Sequence, residues 1–212
     1  MSEAPAGLDQ TRWTALWTRL GAAGAGTGTF DLLAAAYHEP GRAYHTAAHI
    51  NDCLRELDDH RELAARPDEV EAAIWFHDAV YVPGASDNEA RSAKLAIAEL
   101  TSAGASSDLA HRVGELILAT QHFEVPSAPD AQLLCDIDLA ILGRDLPAFD
   151  AYQRQIQQEH AWVPASLYRK GRAKVLQDFL SRSSIYQTPA FKARDEAMAR
   201  RNLTRALTSL SG

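Results

Sequence analysis

"AAIWFHDAVY", residues 72–81, decides how this chain must fold. Its alanines, Ile74, Trp75, Phe76, Val80 and Tyr81 put apolar side chains on every side of a helical wheel, the pattern of a helix buried all round. Such a helix needs neighbours on every face, and two polar residues, His77 and Asp78, stand in its middle. An ionised carboxylate buried without a partner costs several kcal/mol, so Asp78 needs a cation or a hydrogen-bond network. A structural His–Asp pair bonded to backbone groups is one reading of the dipeptide; a pair of ligands is the other.

Working outward, strand alternation is nearly absent and helical periodicity recurs. The pattern predicts nine or ten helices, near 8–20, 30–38, 46–65, 67–80, 88–103, 107–120, 130–142, 147–160, 165–181 and 189–210. Pro67 suits a first helical turn, Asp87 an N-cap, and Gly104 and Gly143 helix ends. The stretch "GAAGAGTG", residues 21–28, lacks the Gly-Lys-Ser/Thr ending of a phosphate loop and reads as a flexible linker or turn. The expected fold class is all-α, with an N-terminal helix and linker over 1–28 and a helical domain over 29–212, a single domain overall.

Bulk composition narrows the function. Charged residues are 23% and hydrophobic ones 46%, which fits a globular chain that builds a core. With 21 basic against 28 acidic residues, the net charge of −7 offers no general field for nucleic acid or an anionic membrane, so neither partner is expected. Two cysteines, Cys53 and Cys135, lie in apolar helical patterns without paired spacing and read as buried free thiols. No apolar run approaches membrane-spanning length and the N-terminus resembles no signal peptide, so a cytoplasmic location is expected.

Two further stretches carry candidate chemistry. In "GRAYHTAAH", residues 41–49, His49 borders the helical face of Ile50, Cys53, Leu54 and Leu57, and His45 lies about a turn earlier, at or before the cap. The spacing matches the zinc-protease motif His-Glu-x-x-His, but Thr46 stands where the general-base Glu must be, which excludes that reading. In "QLLCDIDLAILG", residues 132–143, Asp138 falls within the stripe of Leu133, Leu134, Ile137, Ile141 and Leu142, whereas Asp136 points away and reads as solvated or as a support to a ligand. Inward His and Asp on three helices suit a first-row divalent metal or Mg²⁺.

The order His49, His77–Asp78, Asp138 on successive helices resembles the HD superfamily of metal-dependent phosphohydrolases, and "YHTAAH" (44–49) resembles the Tyr-His-x-x-x-His of its cyclic-nucleotide phosphodiesterase branch. With "RAYH", "WFHDAVY", "DNEARSA", "ATQH", "DIDLAILG" and "YRKGRAKVLQDFLSRSSIY", residues 30–203 resemble a small bacterial group described as predicted HD-type phosphohydrolases. The resemblance implies an HD helical bundle. It also implies one or two divalent ions (Mn, Mg, Zn, Fe, Co or Ni) held by His49, His77, Asp78 and Asp138, with Asp78 bridging if two are bound. His45 would protonate the leaving group. The implied reaction is hydrolysis of a phosphate ester or anhydride of a small molecule, a nucleotide among the candidates, and a homodimer is compatible with it.

The large extra helices that shape a cyclic-nucleotide pocket are missing, so that substrate does not carry over. His122, in "ATQHF", has three open roles: second-metal ligand, substrate contact or structural cap. Arg42 and the cluster of Arg169, Lys170 and Arg172 near Tyr168 suit phosphate oxygens, the cluster being equally readable as a solvated helix face. The expected substrate-binding set is thus Arg42, His122, Lys170 and Arg172. Asn88 and Glu89 read as capping residues or as lining near the metal; Trp75, Phe76 and Tyr81 read as core. His38, His60, His111 and His160 read as surface or capping residues. Two rivals from other classes are an HD-fold di-iron oxygenase, which needs more histidines, and a binding module that keeps its metal without turnover.

Overall fold

The computed structural model describes residues 7–211. Among them it shows ten α-helices and no strand, the all-α architecture that the periodicity predicts. One compact unit runs to Leu134 and a second from Cys135, the division falling inside one helix, Pro129–Asp138.

In the first unit everything is arranged around α4 (Pro67–Phe76), in which every residue from Glu69 to Phe76 is buried. Around it stand α1 (Gln10–Arg19), α3 (Ala47–Asp59), α5 (Asn88–Ser102) and α6 (Ser107–Ala119), while α2 (Thr27–Ala36) packs on α1. The buried Glu71 carboxylate is matched by three guanidiniums, accepting from Arg12 Nε at 2.7 Å, Arg61 Nη1 at 2.8 Å and Arg19 Nη2 at 3.0 Å. A single buried carboxylate would be costly, and charge-assisted bonds offset that desolvation.

The glycine-rich stretch is a pinned turn and not a flexible linker. Trp17 Nε1 donates to Ala23 O at 3.1 Å and Trp13 Nε1 to Gly26 O at 2.9 Å. Gly26 has φ +64, and a Cβ there would sit 2.7 Å from the Trp17 ring. Helix α2 then starts at Thr27, ahead of the expected position 30, and includes Gly28.

Two further helix ends differ from expectation. The helix carrying His49 stops at Asp59, followed by a 3₁₀ turn Arg61–Leu63. Helix α4 stops at Phe76, so His77 is its C-cap and Asp78 lies in the turn beyond, not mid-helix. Apolar residues continue past the end because Ala79 is buried outside the helix, and periodicity alone does not register that break.

The helix α7 (Pro129–Asp138) continues as a 3₁₀ segment, Leu139–Gly143, and leads into α8 (Leu146–Glu159), α9 (Ala165–Ser181) and α10 (Pro189–Ser211). In the second unit α10 packs on α9 and on the 3₁₀ segment. Asn202 Nδ2 fastens that segment by donating to Leu142 O at 2.8 Å and Arg144 O at 2.9 Å. Both cysteines are buried thiols outside any disulfide, and burial first, then Asp138 and Asp136, pushes the Cys135 thiol up to about 12. No helix of the described residues is long and apolar enough to cross a membrane.

Candidate metal centre

His49 is on the first turn of α3, behind the N-cap Thr46, and His77 caps the end of α4; both rings are buried. Their Nε2 atoms face one another at 3.2 Å. Asp78 Oδ2 lies 3.0 Å from His77 Nε2 and 3.5 Å from His49 Nε2. Bonds of about 2.0–2.1 Å to a common ion put neighbouring ligand atoms roughly 3.0–3.4 Å apart, so the three atoms have the spacing of a shared coordination sphere. His77 Nδ1 is 2.9 Å from Ile74 O. A proton on Nδ1 donates there and leaves the Nε2 lone pair for a ligand bond, the arrangement usual for metal-binding imidazole. Asp138, the remaining carboxylate that the resemblance implies, ends α7 in the second unit.

Burial by itself pushes the Asp78 carboxyl up. The facing His77, then His45, the hydrogen bond donated by a doubly protonated His77 and the charge of His49 outweigh it and hold the group below the ordinary carboxylate range, and an ion bound at Nε2 would take over that proton's role. Asp78 is therefore an anion at neutral pH. His45 is half-buried beside it, its ring stacked on Tyr81 at 4.1 Å between centroids and 6.1 Å from that of His49.

Arg42 differs from its expected role. Its side chain is 3% exposed and its donors are taken: Nη1 donates to Asp78 O at 2.6 Å and His45 O at 3.2 Å, Nη2 to Ala79 O at 3.1 Å, and Glu39 pairs with the same group at 3.0 Å. The guanidinium lies over the rings of Tyr37 and Tyr81, each 5.4 Å away. It binds the carbonyls where α4 ends, and so ties the turn bearing Asp78 to the loop bearing His45.

Of the two readings of Asp136, the solvated one does not hold. It is fully buried, accepting from Gln187 N, Thr188 N and Thr188 Oγ1, each at 2.7 Å. Burial raises its pKa, partly countered by those bonds. A helical wheel places a residue relative to its own helix only, and the segment 187–188 covers the face that looked solvated.

The remaining candidates are placed as follows. His122 sits in the turn after α6 with φ +56, its N–H donating to Ala119 O at 3.2 Å, and it is not in the group of possible ligands with His49. Lys170 is exposed on α9, whereas Arg172 is half-buried there against Tyr152 and Gln153. His38, His60, His111 and His160 each place Nδ1 within 2.9 Å of the carbonyl four residues earlier, the first, second and fourth at helix ends and His111 inside α6. Asn88 ties back to Val82: Oδ1 accepts from Val82 N at 3.0 Å and Nδ2 donates to Val82 O at 3.1 Å. Ser92, which the sequence reading passed over, holds Val80 N at 3.0 Å in the same way. The signal was available: Asn88 and Ser92 are polar and one turn apart on the face that buries Ala96.

Comparison with known proteins gave no match: no family model, no curated protein and no solved structure matched the chain.

Proposed function

We propose that this chain is a metal-dependent phosphohydrolase of the HD type, acting on a phosphate ester or anhydride of a small molecule. The observation that carries the reading is the convergence of His49 Nε2, His77 Nε2 and Asp78 Oδ2 at 3.0–3.5 Å, with His77 oriented through Nδ1. Asp138 is the remaining donor that the resemblance implies. Two imidazoles and carboxylates fit a borderline divalent ion.

A bound ion would supply Lewis acidity, lowering the pKa of water from near 16 toward about 7 and balancing charge on phosphoryl oxygens. The chain's own part is proton handling and alignment. His45, held between Tyr81 and the ligand rings, keeps a proton on a ring nitrogen and gives it to the departing oxygen. In the net reaction water adds to phosphorus, the bond to the leaving oxygen breaks, and that oxygen takes the proton. Arg42 keeps the His45 and Asp78 segments in register, and the ionised Asp78 needs no deprotonation before binding a cation.

The test is a screen of the purified protein against phosphorylated metabolites with Mn²⁺, Mg²⁺, Zn²⁺, Fe²⁺, Co²⁺ and Ni²⁺. Release of inorganic phosphate that a chelator abolishes supports the reading. Iron with oxygen consumption, or bound metal with no turnover on any phosphorylated compound, overturns it.

A further inference from the structure

The net charge of −7 conceals a division. Residues up to 134 carry 9 Lys and Arg against 20 Asp and Glu, a net −11, whereas residues from 135 carry 12 against 8, a net +4. In the second unit that excess converges on a cavity of about 160 Å³ lined by Arg154, Arg172, Arg205, Tyr168 and Gln157, with Asp150 the carboxylate among its lining residues. Arg154, Gln157 and Tyr168 also line an adjoining cleft of about 610 Å³ that includes His160 and Trp162.

The three guanidiniums are not equivalent. Arg205 pairs with Asp150. Arg172 is held by neutral acceptors: Nη2 donates to Gln153 Oε1 at 2.7 Å and to Tyr152 Oη at 3.0 Å, and the group lies over the Tyr152 ring at 5.2 Å. Neutral partners fix a guanidinium in place without cancelling its charge. Arg154 is exposed and, among the described residues, makes no ion pair. In the adjoining cleft, which Arg154 also lines, Trp162 is 68% exposed, whereas Trp13, Trp17 and Trp75 are buried.

We propose that this cavity and the adjoining cleft together bind a small phosphorylated molecule carrying a planar ring. Its phosphoryl group is held by Arg172 and Arg154, and its ring rests against Trp162. A pre-oriented guanidinium offers two parallel donors to phosphate oxygens, and an indole face accepts a nucleobase by stacking. The cleft is within the size range of small-molecule sites. The site needs neither metal nor turnover, so it stands or falls independently of the hydrolase reading.

The experiment is calorimetric titration of the full chain in chelator-treated buffer with two probes, adenosine monophosphate and ribose 5-phosphate, which differ by the base alone. Both should bind, the first about tenfold more tightly, the scale of stacking on one aromatic ring. Arg172→Gln should weaken both by about tenfold or more. Arg154→Gln, at an exposed position, should act in the same direction with an unchanged melting temperature, which separates ligand loss from misfolding. Trp162→Ala should erase the difference between the probes and leave ribose 5-phosphate unaffected. Absence of binding at millimolar probe, or unchanged affinity in Arg154→Gln and Arg172→Gln, overturns the site. An undiminished preference for the monophosphate in Trp162→Ala overturns the ring contact.

Discussion

With its proton on Nδ1, donated to Ile74 O, His77 presents Nε2 to His49 and Asp78 as a lone pair. The same attention to single atoms separates the two histidines of "YHTAAH". His49 presents Nε2 to the ligand group, whereas His45 stacks on Tyr81 at its edge. A general acid contributes about 10²–10⁴-fold, and most when the leaving oxygen is basic. His45→Ala should therefore keep its metal, lose most activity on an alkyl phosphate ester and lose much less on a nitrophenyl ester. His49→Ala should lose metal and both activities. Equal losses on the two esters in His45→Ala, with steady-state rates as the readout, rule out the acid role. The two aspartates of "DIDLAILG" divide similarly. Asp138→Ala should lose metal; Asp136→Ala should keep it but lose about 2 kcal/mol of stability or more, because Gln187 and Thr188 amides are left buried without an acceptor. Metal content and urea melts of both variants decide this, and metal loss in a still-folded Asp136→Ala contradicts the division.

Between elements, one guanidinium holds the loop before α3 to the turn after α4. Arg42 reaches His45 O, Asp78 O and Ala79 O at once. Groups that orient ligands without touching the ion typically change affinity by about 10–100-fold. Arg42→Gln should weaken metal binding by that factor with all ligands present, and Arg42→Lys should not rescue it, since an ammonium lacks the fork. Competition with a chromogenic chelator measures this; wild-type affinity in Arg42→Gln contradicts it. The sequence shows an arginine three residues before a histidine, which is compatible with a phosphate contact. What it does not show is that α4 stops at Phe76 and exposes carbonyls there. The tryptophan clamp on the glycine-rich turn was hidden for a related reason, because Trp13 and Trp17 act on residues 13 and 6 positions away, respectively. By contrast, the buried-all-round character of α4 and the inward His49 were legible, since they depend only on residue type and helical period.

For the whole molecule, the all-α class followed from periodicity, whereas the division at Leu134 did not, because it falls within a helix and leaves no Gly- or Pro-rich linker to read. The second unit contains a pH-sensitive anchor. Burial works to raise the Glu196 carboxyl, but hydrogen bonds from Ile185 N and Tyr186 N, then Arg200, lower it below the ordinary value. A folded-state pKa below the unfolded value of about 4.3 gives stability that is fully present above that pH and lost as pH falls through the folded value. Glu196→Gln should therefore flatten the acid limb below about pH 4.3, and an unchanged pH slope in urea melts contradicts the anchor. The central claim, a metal centre at the convergence of α3 and the end of α4, is tested most directly by elemental analysis of the purified chain and of His77→Ala, each loaded with Mn²⁺, Zn²⁺ or Fe²⁺ and then desalted. One or two ions per chain in the first and almost none in a folded His77→Ala is the predicted result; no retained ion in the intact chain, or equal retention in both, contradicts it.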